Sequence, residues 1–243
     1  MPPRLRGGRR ARQALRRAAR RGPLPEPRGP GRRAARRPAP AGRGRAHRTV
    51  APRALEDLTS DDLRGALLRR LPRASVGAEI GVYEGDFSAQ ILAHVRPRRL
   101  HLVDPWRYEP DARYAQAWYG GQVGASQARM DAIHAAVLSR FASEIAAGIV
   151  VVHRSPSVAA AEGFADAYFD WVYIDGNHLY DFVKADLASY HPKVKVGGFI
   201  AGDDYGAEGW WEGGVTRAVD EFRAAGTCDT VLIQDRQFLL RKR

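Results

Sequence analysis

Residues 76–88 read VGAEIGVYEGDFS, and this stretch decides the fold. A short apolar run ends at Gly81, a second glycine follows at Gly85, and apolar residues with helical spacing begin at Phe87. A strand, a tight turn and a helix in this order are typical of the first unit of a parallel α/β sheet. Because glycine has no Cβ, the turn can bring its backbone close to a ligand.

The same alternation of short apolar runs and helical patterns recurs along the rest of the chain. A helix is predicted from Ser60. Predicted strands cover 76–82, 99–103, 149–152, 169–174, 198–201, 230–233 and 237–240, and further helices 87–95, 158–163, 180–190 and 215–224. The last two strands are only a few residues apart, so they must be antiparallel. The predicted class is α/β: a doubly wound, mostly parallel sheet that ends in an antiparallel hairpin.

The charge of the chain divides it into two parts. Residues 1–48 contain 17 Arg, no Lys and one acid, a net charge of +16, whereas the whole chain carries +12. Residues 49–243 therefore carry a net charge of −4. The first part has too few large apolar residues to offset the entropy of ordering it. We expect a disordered Arg/Pro/Gly-rich tail over 1–48 and one folded domain over 49–243.

The tail has several interpretations. Clustered Arg favours contact with nucleic acid or another anionic surface. We expect instead either a solvated tail without a specific partner or GC-rich upstream sequence that is read through from a misplaced start. The sequence contains neither a membrane-length apolar run nor the apolar segment of a signal peptide. The lone Cys228 excludes an intrachain disulfide, so a cytoplasmic location is expected.

The residues that follow the first two strands indicate the kind of cofactor. Ligands of open parallel sheets bind at the carboxyl ends of the strands, where the strand order reverses. The middle glycine of a dinucleotide fingerprint is missing, and Glu84 and Asp86 stand where a phosphate would bind. S-adenosylmethionine (SAM) has no phosphate and carries an ammonium and a sulfonium, so nearby acids suit it. The predicted SAM-binding residues here are Glu79, Gly81, Tyr83, Gly85 and Asp104, and the Asp104 carboxylate is suited to accept both ribose hydroxyls. The alternatives are an ordinary tight turn for Glu79 and Gly81 and a helix or loop cap for Asp104.

Three acids follow the fourth and fifth strands. Asp175 ends one, and Asp203 and Asp204 end the next. Neighbouring parallel strands lie about 4.8 Å apart, so their carboxylates converge and repel one another unless a cation binds. All-oxygen ligation points to a hard divalent ion, Mg²⁺ foremost. Such an ion lowers the pKa of a substrate hydroxyl. The alternative to metal ligation is that Asp203 and Asp204 only cap a loop.

His178 follows Asp175 by three residues, at the start of the next helix. An imidazole with a pKa near neutrality suits removal of a hydroxyl proton, so His178 is the predicted general base. The alternative is that His178 is only a residue at the start of a helix, hydrogen-bonded to the backbone. We expect aromatic residues to form the walls of the substrate site; the alternative is that they pack in the core. The adjacent Trp210 and Trp211 would also suit a lid or a contact between identical subunits. The predicted substrate-binding residues are Trp106, Tyr108, Trp210 and Trp211; Tyr114, Trp118 and Tyr119 are further candidates for the walls.

Four stretches resemble a known group: 78–88, 101–106, 170–186 and 197–205. They are similar to the class I SAM methyltransferase family that includes macrocin-type and mycinamicin-type sugar O-methyltransferases. The resemblance implies a seven-stranded Rossmann-like methyltransferase fold, with Glu79, Gly81 and Asp104 lining the SAM site and Ser155 and Asp175 near it. It also implies that His178 is the base and that the three acids are metal ligands.

The predicted activity is metal-assisted O-methylation of a hydroxyl on a small molecule, a sugar or a polyketide or phenolic natural product. Two alternatives stay open. One is a SAM fold without methyl transfer, as in relatives associated with cephalosporin hydroxylation. The other is an RNA-binding protein or RNA methyltransferase that uses the Arg-rich arm, against which the acidic domain argues.

Overall fold

The computed structural model describes residues 60–243, with side chains from residue 64 onwards. The predicted tail, 1–48, lies outside the described residues. The strands are β1 (Val76–Ile80), β2 (Arg99–Asp104), β3 (Val150–Arg154), β4 (Phe169–Ile174), β5 (Val194–Gly202), β6 (Cys228–Gln234) and β7 (Gln237–Lys242). The helices are α1 (Ser60–Leu68), α2 (Asp86–His94), α3 (Gly121–Gly124), α4 (Gln127–Arg140), α5 (Ala142–Ala146), α6 (Ser157–Glu162), α7 (Tyr180–Tyr190) and α8 (Gly214–Ala224), with a 3₁₀ turn at Ala112–Tyr114.

The seven strands form one sheet in the order β3-β2-β1-β4-β5-β7-β6. The first five strands pair in parallel, and β7 lies antiparallel between β5 and β6. The predicted α/β class with a terminal antiparallel hairpin is therefore confirmed. The chain winds outward from β1 in one direction and from β4 in the other, so the strand order reverses between these two strands. Ligands of such sheets bind at this point, beyond the carboxyl ends of the strands.

Each face of the sheet has its own apolar core. Along β4, Trp171 and Tyr173 pack into one core with residues of α1, α2 and α4, while Val172 and Ile174 pack into the other with residues of α7 and α8. Side chains of a strand point alternately to its two faces, so a strand covered by helices on both sides is apolar throughout. This is why β1 and β4 read as nearly continuous apolar runs.

Helix α4 is an element that the sequence analysis did not predict. Only Met130, Ile133 and Val137 of its 14 residues are buried. Their spacing is helical, but they are separated by Ala and polar residues, so the apolar signal is weak. The start does carry a signal, because the Ser126 hydroxyl accepts a hydrogen bond from the Arg129 amide (3.3 Å) as an N-cap.

None of the helices within residues 60–243 has the length and apolar character needed to cross a membrane.

Candidate functional site

The turn after β1 touches the turn after β4. Gly81 has φ +90°, and a Cβ at this position would overlap the backbone carbonyl of Asp175. The Asp175 amide donates to the Ile80 carbonyl (2.7 Å), and the Gly81 amide donates to the Val103 carbonyl (2.9 Å). Only glycine allows both this φ and this approach. Gly81 therefore holds the ends of β1, β2 and β4 together where the strand order reverses.

Glu79 lies directly beneath this turn. Its side chain is buried and accepts a hydrogen bond from the Ser88 hydroxyl (2.5 Å), which ties β1 to the first turns of α2. Burial raises the pKa of Glu79 well above its usual range; the Ser88 hydrogen bond lowers it, and the charges of Asp175 and Asp104 raise it further. Glu79 thus lies in the wall behind the turn. We call Glu79 and the acids at the neighbouring strand ends, Asp104, Asp175, Asp203 and Asp204, the acidic region.

Asp104 at the end of β2 binds the other side of the same turn. Its carboxylate accepts hydrogen bonds from the amides of Val82 (2.9 Å), Tyr83 (3.1 Å) and Trp106 (2.7 Å), and from the Tyr119 hydroxyl. Burial raises the pKa of Asp104, although these four hydrogen bonds act to lower it. The Tyr119 hydroxyl therefore already makes the type of contact that we predicted for a ribose hydroxyl.

The remaining predicted cofactor residues surround Asp104 and the turn. Tyr83 has φ +50°, its carbonyl accepts from the Trp106 indole (2.9 Å), and its ring lies 5.1 Å from that of the exposed Trp118. The Ser155 amide donates to the Asp104 carbonyl (3.1 Å), which brings the end of β3 to the same edge. Gly85, with φ +79°, is the N-cap of α2. The structure therefore gathers these residues along three adjacent strand ends, those of β1, β2 and β3.

Two of the predicted metal acids lie together with His178. Ligand atoms of Asp175, His178 and Asp204 all lie within 4.8 Å of one another. The Nε2 atom of His178 is 2.9 Å from Asp204 Oδ2 and 3.5 Å from Asp175 Oδ1. Burial alone would lower the pKa of His178, but the two carboxylates outweigh it and raise the pKa to about 9. Burial also acts to raise the pKa of Asp204, yet the net effect of His178 and nearby Arg residues is a lowered pKa.

Asp203 has different partners. Its buried carboxylate forms an ion pair with Arg64 and accepts hydrogen bonds from the Gln237 side-chain amide and from the Asp204 backbone amide (2.8 Å). Gln237 is itself held by the Tyr173 hydroxyl (2.6 Å). Metal ligation by Asp203 stays a prediction, because in this arrangement protein donors occupy its carboxylate. The acid group that faces His178 consists of Asp175 and Asp204.

The group of Asp175, His178 and Asp204 fits a divalent cation. Within the part of the chain that the structure describes, the buried Nε2 atom of His178 has no hydrogen-bond partner of good geometry, although Asp204 Oδ2 is only 2.9 Å away. A cation among these atoms would be held by both carboxylates, with the nitrogen either a third ligand or free to accept a proton. An imidazole in the donor set extends the suitable metals from Mg²⁺ to Mn²⁺, Fe²⁺, Co²⁺ and Zn²⁺.

The predicted aromatic walls divide into two groups. Trp211 lies beside the His178 ring (4.9 Å between centroids), and Trp210 contacts Tyr114 edge-to-face (5.5 Å). Tyr114 accepts a hydrogen bond from Asn177 (3.0 Å), in the loop that carries Asp175 and His178. By contrast, Trp106 is fully buried in the core, and Tyr108 packs partly buried against the same core. Trp210 and Trp211 therefore border the acidic group, whereas Trp106 lies behind the Asp104 turn.

Arg64 is a site residue that the sequence analysis missed. It lies three, four and seven residues before Leu67, Leu68 and Leu71, so it shares the apolar face of α1. A charged residue on the buried face of a helix is uncommon and indicates a specific partner. Here the partners are Asp203 and Asp175, with 3.5 Å between the Arg64 guanidinium and an Asp175 carboxylate oxygen.

Comparison with solved structures supports the fold. A Corynebacterium glutamicum protein aligns with a TM-score of 0.54 and 14% identity, covering 76% of this chain and 82% of that one. A Staphylococcus aureus protein provisionally described as a caffeoyl-CoA O-methyltransferase gives 0.52 and 15%, covering 77% and 84%. A Clostridium thermocellum protein provisionally described as an rRNA methylase gives 0.52 and 10%, covering 74% and 93%. At such identities the likeness concerns the fold alone.

The sequence matches one protein family. Residues 78–205 match the family described as "Methyltransferase domain", which is more than half of the 243 residues. None of the curated proteins matches the sequence significantly. The matched range runs from within β1 to just beyond β5 and includes the residues gathered at the carboxyl ends of these strands, from the Gly81 turn to Asp204. The chain therefore belongs to this methyltransferase family, and SAM is the methyl donor that the match supports.

Proposed function

We propose that the chain is a SAM-dependent O-methyltransferase that uses a divalent metal to activate a hydroxyl of a small molecule. The observation that carries the proposal is the convergence of Asp175, His178 and Asp204 at the strand ends. This group borders the Gly81 turn, because the backbone of Asp175 is in contact with Gly81. The site for the methyl donor and the site for the cation therefore share Asp175.

Each residue then has a distinct task. Asp175 and Asp204 hold the cation, which when bound lowers the pKa of a substrate hydroxyl and positions it. His178 accepts the hydroxyl proton. It can do so only as a neutral imidazole, so the carboxylates that raise its pKa must first be neutralised. The protein contributes chiefly by aligning the hydroxyl with the methyl group, since the sulfonium is already a strong electrophile.

The acceptor is proposed to lie against Trp210 and Trp211. Aromatic faces suit both sugars and flat polyketide or phenolic rings, and two neighbouring oxygens on such a molecule can bind one cation. A groove of about 210 Å³ adjoins Trp211, at the start of α7. Its lining residues are Arg113, Leu179, Tyr180, Asp181, Phe182, Trp211, Glu212, Gly214 and Arg217.

Metal binding tests the proposal directly. Mn²⁺ affinity is measured by electron paramagnetic resonance on the wild type and on Asp175→Asn and Asp204→Asn, with Asp229→Asn, an exposed acid of β6, as the matched control. We expect each of the first two variants to weaken Mn²⁺ binding at least about ten-fold and the control to bind normally. Equal binding by all of them would contradict the metal site. Mn²⁺ affinity is also measured on Asp203→Asn: weaker binding would identify Asp203 as a further ligand, and unchanged binding would exclude it.

Methyl transfer is tested with SAM and a panel of catechols and glycosides, with product masses as the readout. Chelation should abolish turnover while S-adenosylhomocysteine still binds; turnover without metal would contradict metal assistance. His178→Ala should reduce turnover by about 10² to 10⁴. If the variant instead loses Mn²⁺ affinity, His178 is a metal ligand and the base lies elsewhere.

The two alternatives have their own tests. Binding of S-adenosylhomocysteine without any methyl transfer would favour the non-transferring, cephalosporin-hydroxylase-like role. Loss of activity on removal of residues 1–48 would favour the RNA alternative and a function for the Arg-rich arm. A cytoplasmic location and self-association remain expectations from the sequence.

A further inference from the structure

A basic side chain from α1 reaches the middle of the acidic region. The Arg64 guanidinium pairs with Asp203 and lies 3.5 Å from Asp175. It also lies over the Phe87 ring, 5.2 Å from the ring centroid, at the first turn of α2. Its side chain is 27% exposed, so the guanidinium is sheltered but accessible. Arg64 therefore stands between the end of β4 and the start of α2, next to the donor site.

The charge of Arg64 acts on acids at three strand ends. It lowers the pKa of Glu79 on β1, where burial is the main effect and raises the pKa. Its direct partners Asp175 and Asp203 follow β4 and β5. The donor site is therefore acidic, with one guanidinium placed inside it.

The methionine part of SAM carries both an ammonium and a carboxylate. Glu79 and Asp175 suit the ammonium, but the same acids repel the carboxylate, which needs a cationic partner. The planar guanidinium of Arg is the side chain that matches a carboxylate best, through two parallel hydrogen bonds. We propose that Arg64 binds the α-carboxylate of SAM, exchanging one aspartate partner for the ligand. The proposal rests on SAM being the donor, as in the proposed function.

Two other roles for Arg64 make different predictions. A purely structural role, neutralising the buried Asp203, predicts that its loss weakens every ligand alike. Competition with the metal predicts that its loss tightens Mn²⁺ binding and leaves the donor unaffected. A contact between Arg64 and the carboxylate predicts that loss of Arg64 weakens the binding only of ligands that carry the carboxylate.

The experiment compares two ligands by calorimetry: S-adenosylhomocysteine and its decarboxylated analogue, which keeps the amine and the adenosine. Both are titrated into the wild type, Arg64→Gln and Arg70→Gln, the last being a matched loss of an exposed Arg just beyond α1. We expect Arg64→Gln to weaken S-adenosylhomocysteine by about 10- to 100-fold, and the decarboxylated analogue by less than about two-fold. Arg70→Gln should bind both as the wild type does.

Binding of the analogue also reports whether Arg64→Gln is folded. If Arg64→Gln does not fold, Arg64→Lys, which keeps the charge, is used in its place. We expect Arg64→Lys to bind S-adenosylhomocysteine with an affinity between those of the wild type and Arg64→Gln. Equal weakening of both ligands overturns the proposal in favour of a structural role. Unchanged S-adenosylhomocysteine affinity also overturns it, and tighter Mn²⁺ binding would then identify Arg64 as a competitor of the metal. If the wild type binds neither ligand, SAM as the donor fails and this inference fails with it.

Discussion

Replacing Gly81 with Ala should separate the turn after β1 from the turn after β4. The φ of +90° costs a residue with a Cβ about 1–2 kcal/mol. The new methyl group would also overlap the Asp175 carbonyl, and overpacking of this kind costs about 1–3 kcal/mol. We therefore expect a loss of about 3 kcal/mol in the free energy of unfolding. For a domain of this size that corresponds to a fall in melting temperature of about 6–12 °C.

Gly148 provides the matched control for this substitution. Its φ is +71°, and among the described residues no atom lies within 4 Å of the position that a Cβ would take. Gly148→Ala therefore carries the conformational cost of about 1–2 kcal/mol without the overlap, and we expect a fall of about 2–8 °C. Both variants are compared by thermal unfolding, and S-adenosylhomocysteine binding should be lost only in Gly81→Ala. The reasoning is refuted if Gly81→Ala unfolds no earlier than Gly148→Ala.

Two further predictions concern Tyr119 and His101. Tyr119→Phe should bind S-adenosylhomocysteine about five-fold more tightly by calorimetry, because the Asp104 carboxylate then has a free acceptor for ribose; weaker binding would instead show that the Tyr119 hydroxyl helps to hold the ligand. Burial, followed by the charges of His153 and Arg99, lowers the pKa of His101 to about 4. The unfolded chain, with a His pKa near 6.5, then binds more protons, so stability due to neutral His101 is present above about pH 6.5 and lost towards pH 4. In urea unfolding, the stability of the wild type relative to His101→Gln should fall by about 3 kcal/mol over this window, and a constant difference would contradict the assignment.

The fold was predictable because its central strands have a simple requirement. Parallel strands covered on both faces need apolar residues throughout, so β4 (Phe169–Ile174) and α7 (Tyr180–Tyr190) were predicted with the bounds that the structure has. The hairpin was predictable from the short connection between its strands. Helix α4 was missed because it buries only one narrow stripe, and most of its residues remain in solvent.

The site was predictable to the level of strand ends. Topology alone places Asp104, Ser155, Asp175 and Asp204 at one edge, since each lies at the carboxyl end of a parallel strand. Side-chain directions were not predictable in this way. Asp203 and Asp204 are neighbours, yet the first pairs with Arg64 and Gln237 while the second faces His178. The backbone of Asp204 at φ +60° separates the two directions.

The sequence by itself determined the order of the seven strands and of five helices, the glycine turn and the list of acids, because period, apolar runs and turn residues are local properties of the chain. Only the tertiary structure decided which acids meet. Arg64 is 111 residues from Asp175, Gln237 is 34 residues from Asp203, and Tyr119 is 15 residues from Asp104. Their contacts arise where helices and loops fold over the strand ends, and distances across such packing cannot be read from local patterns. The signature at 76–88 thus located the site, and the packing around it selected Asp175, His178 and Asp204.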